Sequence, residues 1–178
     1  MKNRECEERV MIDFDQYMLL VQHYIVIDPQ FRFIDIENTY LDDENLSLIN
    51  NHKMMRIRKF NNQQELTLKI PNDKGTIEIN EKIDSHPEID KLLPKPFSQY
   101  HPIATLKTHR IEVKEKDYLV VIDQNLYNGI IDYDLEVEAS SMEEAKAAIL
   151  DICNRFHLEY KENYISKSRR AINSRRIN

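Results

Sequence analysis

Ionisable and other polar side chains recur at every second position in six stretches of this chain. They are Glu5, Glu7 and Arg9; Arg56 and Arg58; Glu65, Thr67 and Lys69; Glu78 and Asn80; Arg110, Glu112 and Lys114; and Asp134, Glu136 and Glu138. On an extended strand a spacing of two puts side chains on one face. Carboxylates so placed can share one hard cation such as Mg²⁺ or Mn²⁺, while Arg and Lys neutralise phosphate oxygens directly. An ordinary half-buried sheet also alternates polar with apolar residues, so the recurrence of both signs is what points to a ligand. Charges held inside a protein are costly unless paired or bound to metal, and a triphosphate carrying divalent cations would answer both signs.

These charges need strands to present them. Glu5 to Ile12 reads as a strand, and Asp13 to Val26 as a helix with an Asp cap and apolar Phe14, Met18, Val21 and Ile25 at helical spacing. Phe31 to Leu41 is rich in strand-forming residues, and the acidic DDEN after it can open a short helix with Leu46, Leu48 and Ile49. The period then becomes two through MMRIRKF, ELTLKI and, past the turn PNDKG, TIEINEKI. Ser85 to Tyr100, broken by Pro87, Pro94 and Pro96, is helical or irregular. Three more alternating runs follow, ATLKTHRIEVKE, DYLVVID and, after the turn at Asn128 and Gly129, IIDYDLEVEA, for eight strands in all. Ser140 or Ser141 with Glu143 and Glu144 caps a last helix through Ala145, Ile149, Ile152 and Phe156.

Opposite the charged positions stand Leu66, Leu68, Ile70, Ile77, Ile79, Ile111, Val113, Leu135 and Val137, an apolar face that the helices must cover. The expected fold is α+β: an eight-stranded antiparallel sheet closed into a β-barrel, with flanking helices outside and the charges lining the lumen. A chain of 178 residues suits a single domain, 1–178, with a basic segment from about 166 to 178.

Composition removes several alternatives. With 31 Asp and Glu against 25 Lys and Arg, the net charge of -6 argues against general nucleic-acid binding. Two glycines leave no GxGxxG or GxxxxGK[ST] loop, so phosphate must be held by side chains. Cys6 and Cys153 have no metal or disulfide spacing. Cys6 should point away from its glutamate neighbours as a packed thiol, and His52, His101 and His109 lack paired ligand spacing. The N-terminus is charged and no apolar run spans a membrane, so a cytoplasmic protein without a membrane partner is expected.

In order, the chain carries Glu5-Cys6-Glu7-Glu8-Arg9, Arg56-Ile57-Arg58, Thr67-Leu68-Lys69, Arg110, Asp123 and Glu136-Val137-Glu138, with TYLDDENLSL from Thr39 to Leu48 between the first two. This order and spacing resembles the CYTH superfamily, the triphosphate tunnel metalloenzymes, and in particular its small bacterial members labelled adenylate cyclase. The likeness spans roughly Glu5 to Lys167. Two departures stand out: Arg9 replaces the family's lysine, and Tyr40-Leu41-Asp42-Asp43 lacks the usual second Tyr and the Thr.

The resemblance implies that Glu5, Glu7, Glu136 and Glu138 hold Mg²⁺ or Mn²⁺, with Glu78 and Asp123 as additional ligands or supports. Arg9, Arg56, Arg58, Lys69, Arg110 and Lys167 would bind the triphosphate, and Lys69 would act in catalysis with the four glutamates. The implied activity is metal-dependent hydrolysis of a small-molecule triphosphate, inorganic tripolyphosphate first and nucleoside or thiamine triphosphate next. Cyclisation of ATP to cyclic AMP and non-catalytic polyphosphate or nucleotide sensing are the alternatives.

Overall fold

Strand formation follows the two-residue period closely. The computed structural model describes residues 2–27, 30–73, 75–161 and 164–177, with side chains from Cys6 to Arg175 within those spans. Among the described residues there are eight strands: β1 (Lys2–Ile12), β2 (Arg32–Asp42), β3 (Met54–Phe60), β4 (Gln63–Asn72), β5 (Gly75–Glu81), β6 (His101–Glu115), β7 (Tyr118–Tyr127) and β8 (Ile130–Ala139). Helices are α1 (Phe14–Ile27), α2 (Ser47–Asn50), α3 (Pro87–Leu92), α4 (Met142–Phe156) and α5 (Lys167–Asn173). Among the described residues no helix is long and apolar enough to cross a membrane. The architecture is thus an antiparallel eight-stranded set with flanking helices.

The chain divides into two compact units, the first comprising 1–4, 36–107 and 166–178, the second 5–35 and 108–165. In the first unit β2, β3, β4 and β5 pair in sequence as an antiparallel meander. Its β3–β4 turn places Asn61 and Asn62 at positive φ, the conformation that hairpin turns require and asparagine tolerates. Leu41, Leu48, Met55, Leu66, Leu68, Ile79, Ile89 and Tyr100 form its core. Leu66 and Leu68 have no exposed surface, and burial of each contributes about 1.5–3 kcal/mol. Asp42, 1 % exposed, holds α2 in place: its carboxylate accepts the backbone N–H of Asp43, Leu48 and Ile49.

In the second unit β8 lies between β7 and β1, and β6 follows β7. Asn128 and Gly129 both take positive φ in the β7–β8 turn, as the Asn-Gly pair anticipates. A Cβ at Gly129 would meet nothing within 4 Å, so the glycine answers to backbone conformation and not to crowding. Val10, Ile12, Ile111, Val113, Val120, Ile122, Leu135 and Val137 form the sheet side of this core, against Leu20 and Tyr24 of α1 and Ala148, Ile149, Ile152 and Cys153 of α4. Ser141 caps α4 by accepting the Glu144 N–H.

Within each unit the apolar face is therefore the one on which the core packs, and the charged face is the other. One local expectation changes. On α1 the fully buried residues are Leu20 and Tyr24, with Tyr17 and Val21 packed beside them, whereas Phe14, Met18 and Ile25 remain exposed. Tyr17 and Tyr24 fill the space that the apolar spacing assigned to Phe14, Met18 and Ile25. The basic segment holds α5, capped by Ser166 and anchored by buried Ala171 and Ile172.

Candidate functional site

Alternation on β1 and β8 builds an acidic cluster in the second unit. The register sets Glu7 opposite Glu138 and Arg9 opposite Glu136. Glu7, Glu136 and Glu138 each bring a ligating carboxylate oxygen, and those oxygens lie within 4.8 Å of one another. The set is all oxygen, at a spacing that one hard divalent cation can bridge. Glu5 stands two residues earlier on β1, and its side chain lies outside the described residues.

Two guanidiniums offset this charge. Arg9 Nη2 pairs with Glu7 Oε1, and its Nε is 3.6 Å from Glu136 Oε1. Its guanidinium also sits over the Tyr164 ring, 5.0 Å from the centroid. Burial works against the charged form, but Glu136, Tyr164 and Asp134 outweigh it, and the Arg9 pKa rises above its ordinary value. Arg110 grips Asp123 with two parallel bonds and reaches Glu136 Oε2 at 3.1 Å. It too is raised well above its ordinary value, burial being overcome by Asp123 and Glu136.

A polar network extends beside the cluster. Buried Asn125 donates to Asp132 and Asp134, and accepts from Thr108. Tyr164, beyond α4, donates to Asp134 Oδ1 at 2.9 Å. Sequence reading assigned no role to Asn125 or Tyr164. Asn125 is recoverable from its two-residue offset to Asp123, whereas nothing local marks Tyr164.

In the first unit the cations gather around Glu78. Lys69 faces it directly in the β4–β5 register, with Nζ 2.9 Å from Oε2. Arg56 Nη2 lies 3.5 Å from the same oxygen, at ion-pair distance, yet Arg56 Nε and Nη2 are buried with no hydrogen-bond partner among the described residues. Such donors cost about 1–3 kcal/mol each when left unsatisfied. Asn80 bridges Glu78 to Thr67, and Arg58 donates to Asn38. Lys167 opens α5 and is half-buried.

The expected residues thus fall into two local groups. Glu7, Arg9, Arg110, Asp123, Glu136 and Glu138 converge in the second unit, and Arg56, Lys69 and Glu78 in the first. Asp123 and Glu78 serve as counter-ions to Arg110 and to Lys69 with Arg56.

Residues 4–172 match the model of the CYTH domain. A protein of Bacillus subtilis strain 168, YjbK, provisionally named a triphosphatase, is 30 % identical over 145 residues, covering 73 % of this chain and 75 % of its own length. Among solved structures, a protein of Bacillus halodurans provisionally named an adenylate cyclase superposes with a TM-score of 0.82 at 23 % identity, covering 94 % of this chain and 97 % of that one. A Hippeastrum protein provisionally named an adenylyl cyclase, and described as having a dominant triphosphatase activity, superposes with a TM-score of 0.76 at 16 % identity, over 96 % and 95 % of the two chains.

Proposed function

We propose, from the premise that this chain belongs to the CYTH domain family, that it hydrolyses a compact triphosphate with Mg²⁺ or Mn²⁺ as cofactor. The observation that carries the reading is the convergence of Glu7, Glu136 and Glu138, whose ligand oxygens lie within 4.8 Å of one another. Their chemistry suits a hard divalent cation, and the unsatisfied donors of buried Arg56 suit an anion. The triphosphatase name of the Bacillus subtilis relative supports the same class of substrate. The closed eight-stranded tunnel expected from the sequence, as one domain, belongs to this proposal.

In this reading Glu7, Glu136 and Glu138 would hold the cation, with Glu5 beside them on β1. When bound, the metal would supply Lewis-acid polarisation of phosphate oxygens and a more acidic water. Lys69, Arg56 and Arg58 would neutralise phosphate oxygens, with Arg9, Arg110 and Lys167 as the remaining cations. Glu78 fixes Lys69 within ion-pair distance, so the ammonium is held in place before substrate arrives. Catalysis would rest on positioning and charge neutralisation, with in-line attack of water releasing orthophosphate and no covalent enzyme intermediate. Inorganic tripolyphosphate is the favoured substrate, followed by nucleoside and thiamine triphosphates.

The test is an assay of purified protein with Mg²⁺ or Mn²⁺ against tripolyphosphate, ATP and thiamine triphosphate, with product identification. Orthophosphate is expected. Cyclic AMP and pyrophosphate from ATP would replace hydrolysis by cyclisation, and tight binding without product would make the protein a sensor.

A further inference from the structure

Arg9 stands where the resemblance places a lysine, and its longer forked side chain reaches what a metal would need. On β1 it follows Glu7 by two residues, and on β8 it faces Glu136 directly. It contacts Glu7 Oε1 and approaches Glu136 Oε1 to 3.6 Å. Both carboxylates belong to the three-oxygen cluster. The guanidinium is also held from a third side by the Tyr164 ring, itself tied down through its hydroxyl to Asp134, which is fully buried.

A guanidinium and a divalent cation compete for the same carboxylate lone pairs and repel each other at short range. We infer that Arg9 is a resident counter-ion of the acidic cluster, which must swing off Glu7 and Glu136 before a divalent cation binds, with Tyr164 favouring the cation-free position. The inference rests on the proposed metal site and assigns Arg9 a gating role over that site. The acids stay paired when metal is absent, and metal affinity is set by the exchange of one cation for another.

The experiment titrates Mn²⁺ alone, without triphosphate, into the full-length protein by calorimetry. Arg9→Gln removes the competitor and should tighten binding roughly tenfold or more, the order expected when one unit charge at ion-pair distance is removed. Arg9→Lys keeps the charge but gives up the fork, and should also bind more tightly than the wild type. A gain confined to Arg9→Gln would reduce the effect to net charge and overturn the inference, as would unchanged or weaker affinity in both variants.

A second readout follows the wild type itself and uses a variant only to assign the signal. In the wild type, the Arg9 Nε–H signal, assigned by its absence in Arg9→Lys, should shift on saturation with Mg²⁺. A signal that stays in place overturns displacement even if turnover is normal, leaving the proposed function standing. Absence of Mn²⁺ binding in every form would overturn both.

Discussion

Arg110 and Asp123 form a forked pair, Nε to Oδ1 at 3.0 Å and Nη2 to Oδ2 at 2.8 Å, around a carboxylate with no exposed surface. The same guanidinium also serves Glu136. Removing one partner of a buried pair strands the other, which typically costs about 3–5 kcal/mol. Arg110→Ala should therefore lower the melting temperature by roughly 6–20 °C. Arg110→Lys retains charge without the fork and should cost about 1–2 kcal/mol. Thermal unfolding followed by circular dichroism checks both, and an Arg110→Lys variant as stable as the wild type would show that the fork contributes nothing beyond its charge.

Glu138 offers the cleanest separation of metal binding from folding. Its side chain is 37 % exposed and its ion pair with Arg110 is long, at 3.9 Å. Glu136, by contrast, pairs with both Arg9 and Arg110 and is 2 % exposed. Glu138→Gln should change stability by no more than about 0.5 kcal/mol while weakening Mn²⁺ binding about 10- to 100-fold and lowering metal-dependent turnover. Glu136→Gln should lose stability as well, because two guanidiniums each lose one of their carboxylate partners. Calorimetric Mn²⁺ titration beside thermal unfolding distinguishes the two variants.

The eight strands and the sidedness of their charge were legible because a period of two is dictated by backbone geometry. The grouping of Glu7 with Glu136 and Glu138 followed from the family-like order of motifs. Which charge meets which was not legible. Glu78 reads as one more acid until the β4–β5 register puts Lys69 opposite it. Register is a property of two strands, and no single run of residues encodes it. Tyr164 was invisible for a related reason: its link to Asp134 spans 30 residues and depends on where the chain returns after α4. On α1, several apolar residues compete for the buried face, and the packing of Tyr17 and Tyr24 decides between them.

Asp42 makes a separate prediction about the first unit. Its two carboxylate oxygens accept three backbone N–H groups, at 2.8 Å from Asp43 and 3.0 Å from Leu48 and Ile49. Asp42→Asn keeps one oxygen but turns an NH₂ towards a backbone donor. The loss should be about 1–3 kcal/mol, with α2 and buried Leu48 loosened. Urea unfolding measures the loss, and hydrogen exchange at Leu48 and Ile49 should accelerate specifically.

Cys153 predicts an alkaline limit on stability. The thiol is 2 % exposed within the α4 core, and burial pushes its pKa from about 9 to about 11. Below pH 9 both folded and unfolded states keep the proton, so the full contribution is present. Between about pH 9 and 11 the unfolded chain loses it while the folded chain retains it, and stability falls with rising pH. A rise from about 9 to about 11 corresponds to about 2–3 kcal/mol. Tyrosines such as Tyr17 and Tyr118, also shifted upward by burial, act in the same direction at high pH. The thiol is isolated by difference: Cys153→Ala should be less stable at pH 7 through lost packing, yet decline less steeply than the wild type from pH 9 to 11. Urea unfolding across that range checks the slopes, and parallel curves would show that Cys153 does not titrate with folding.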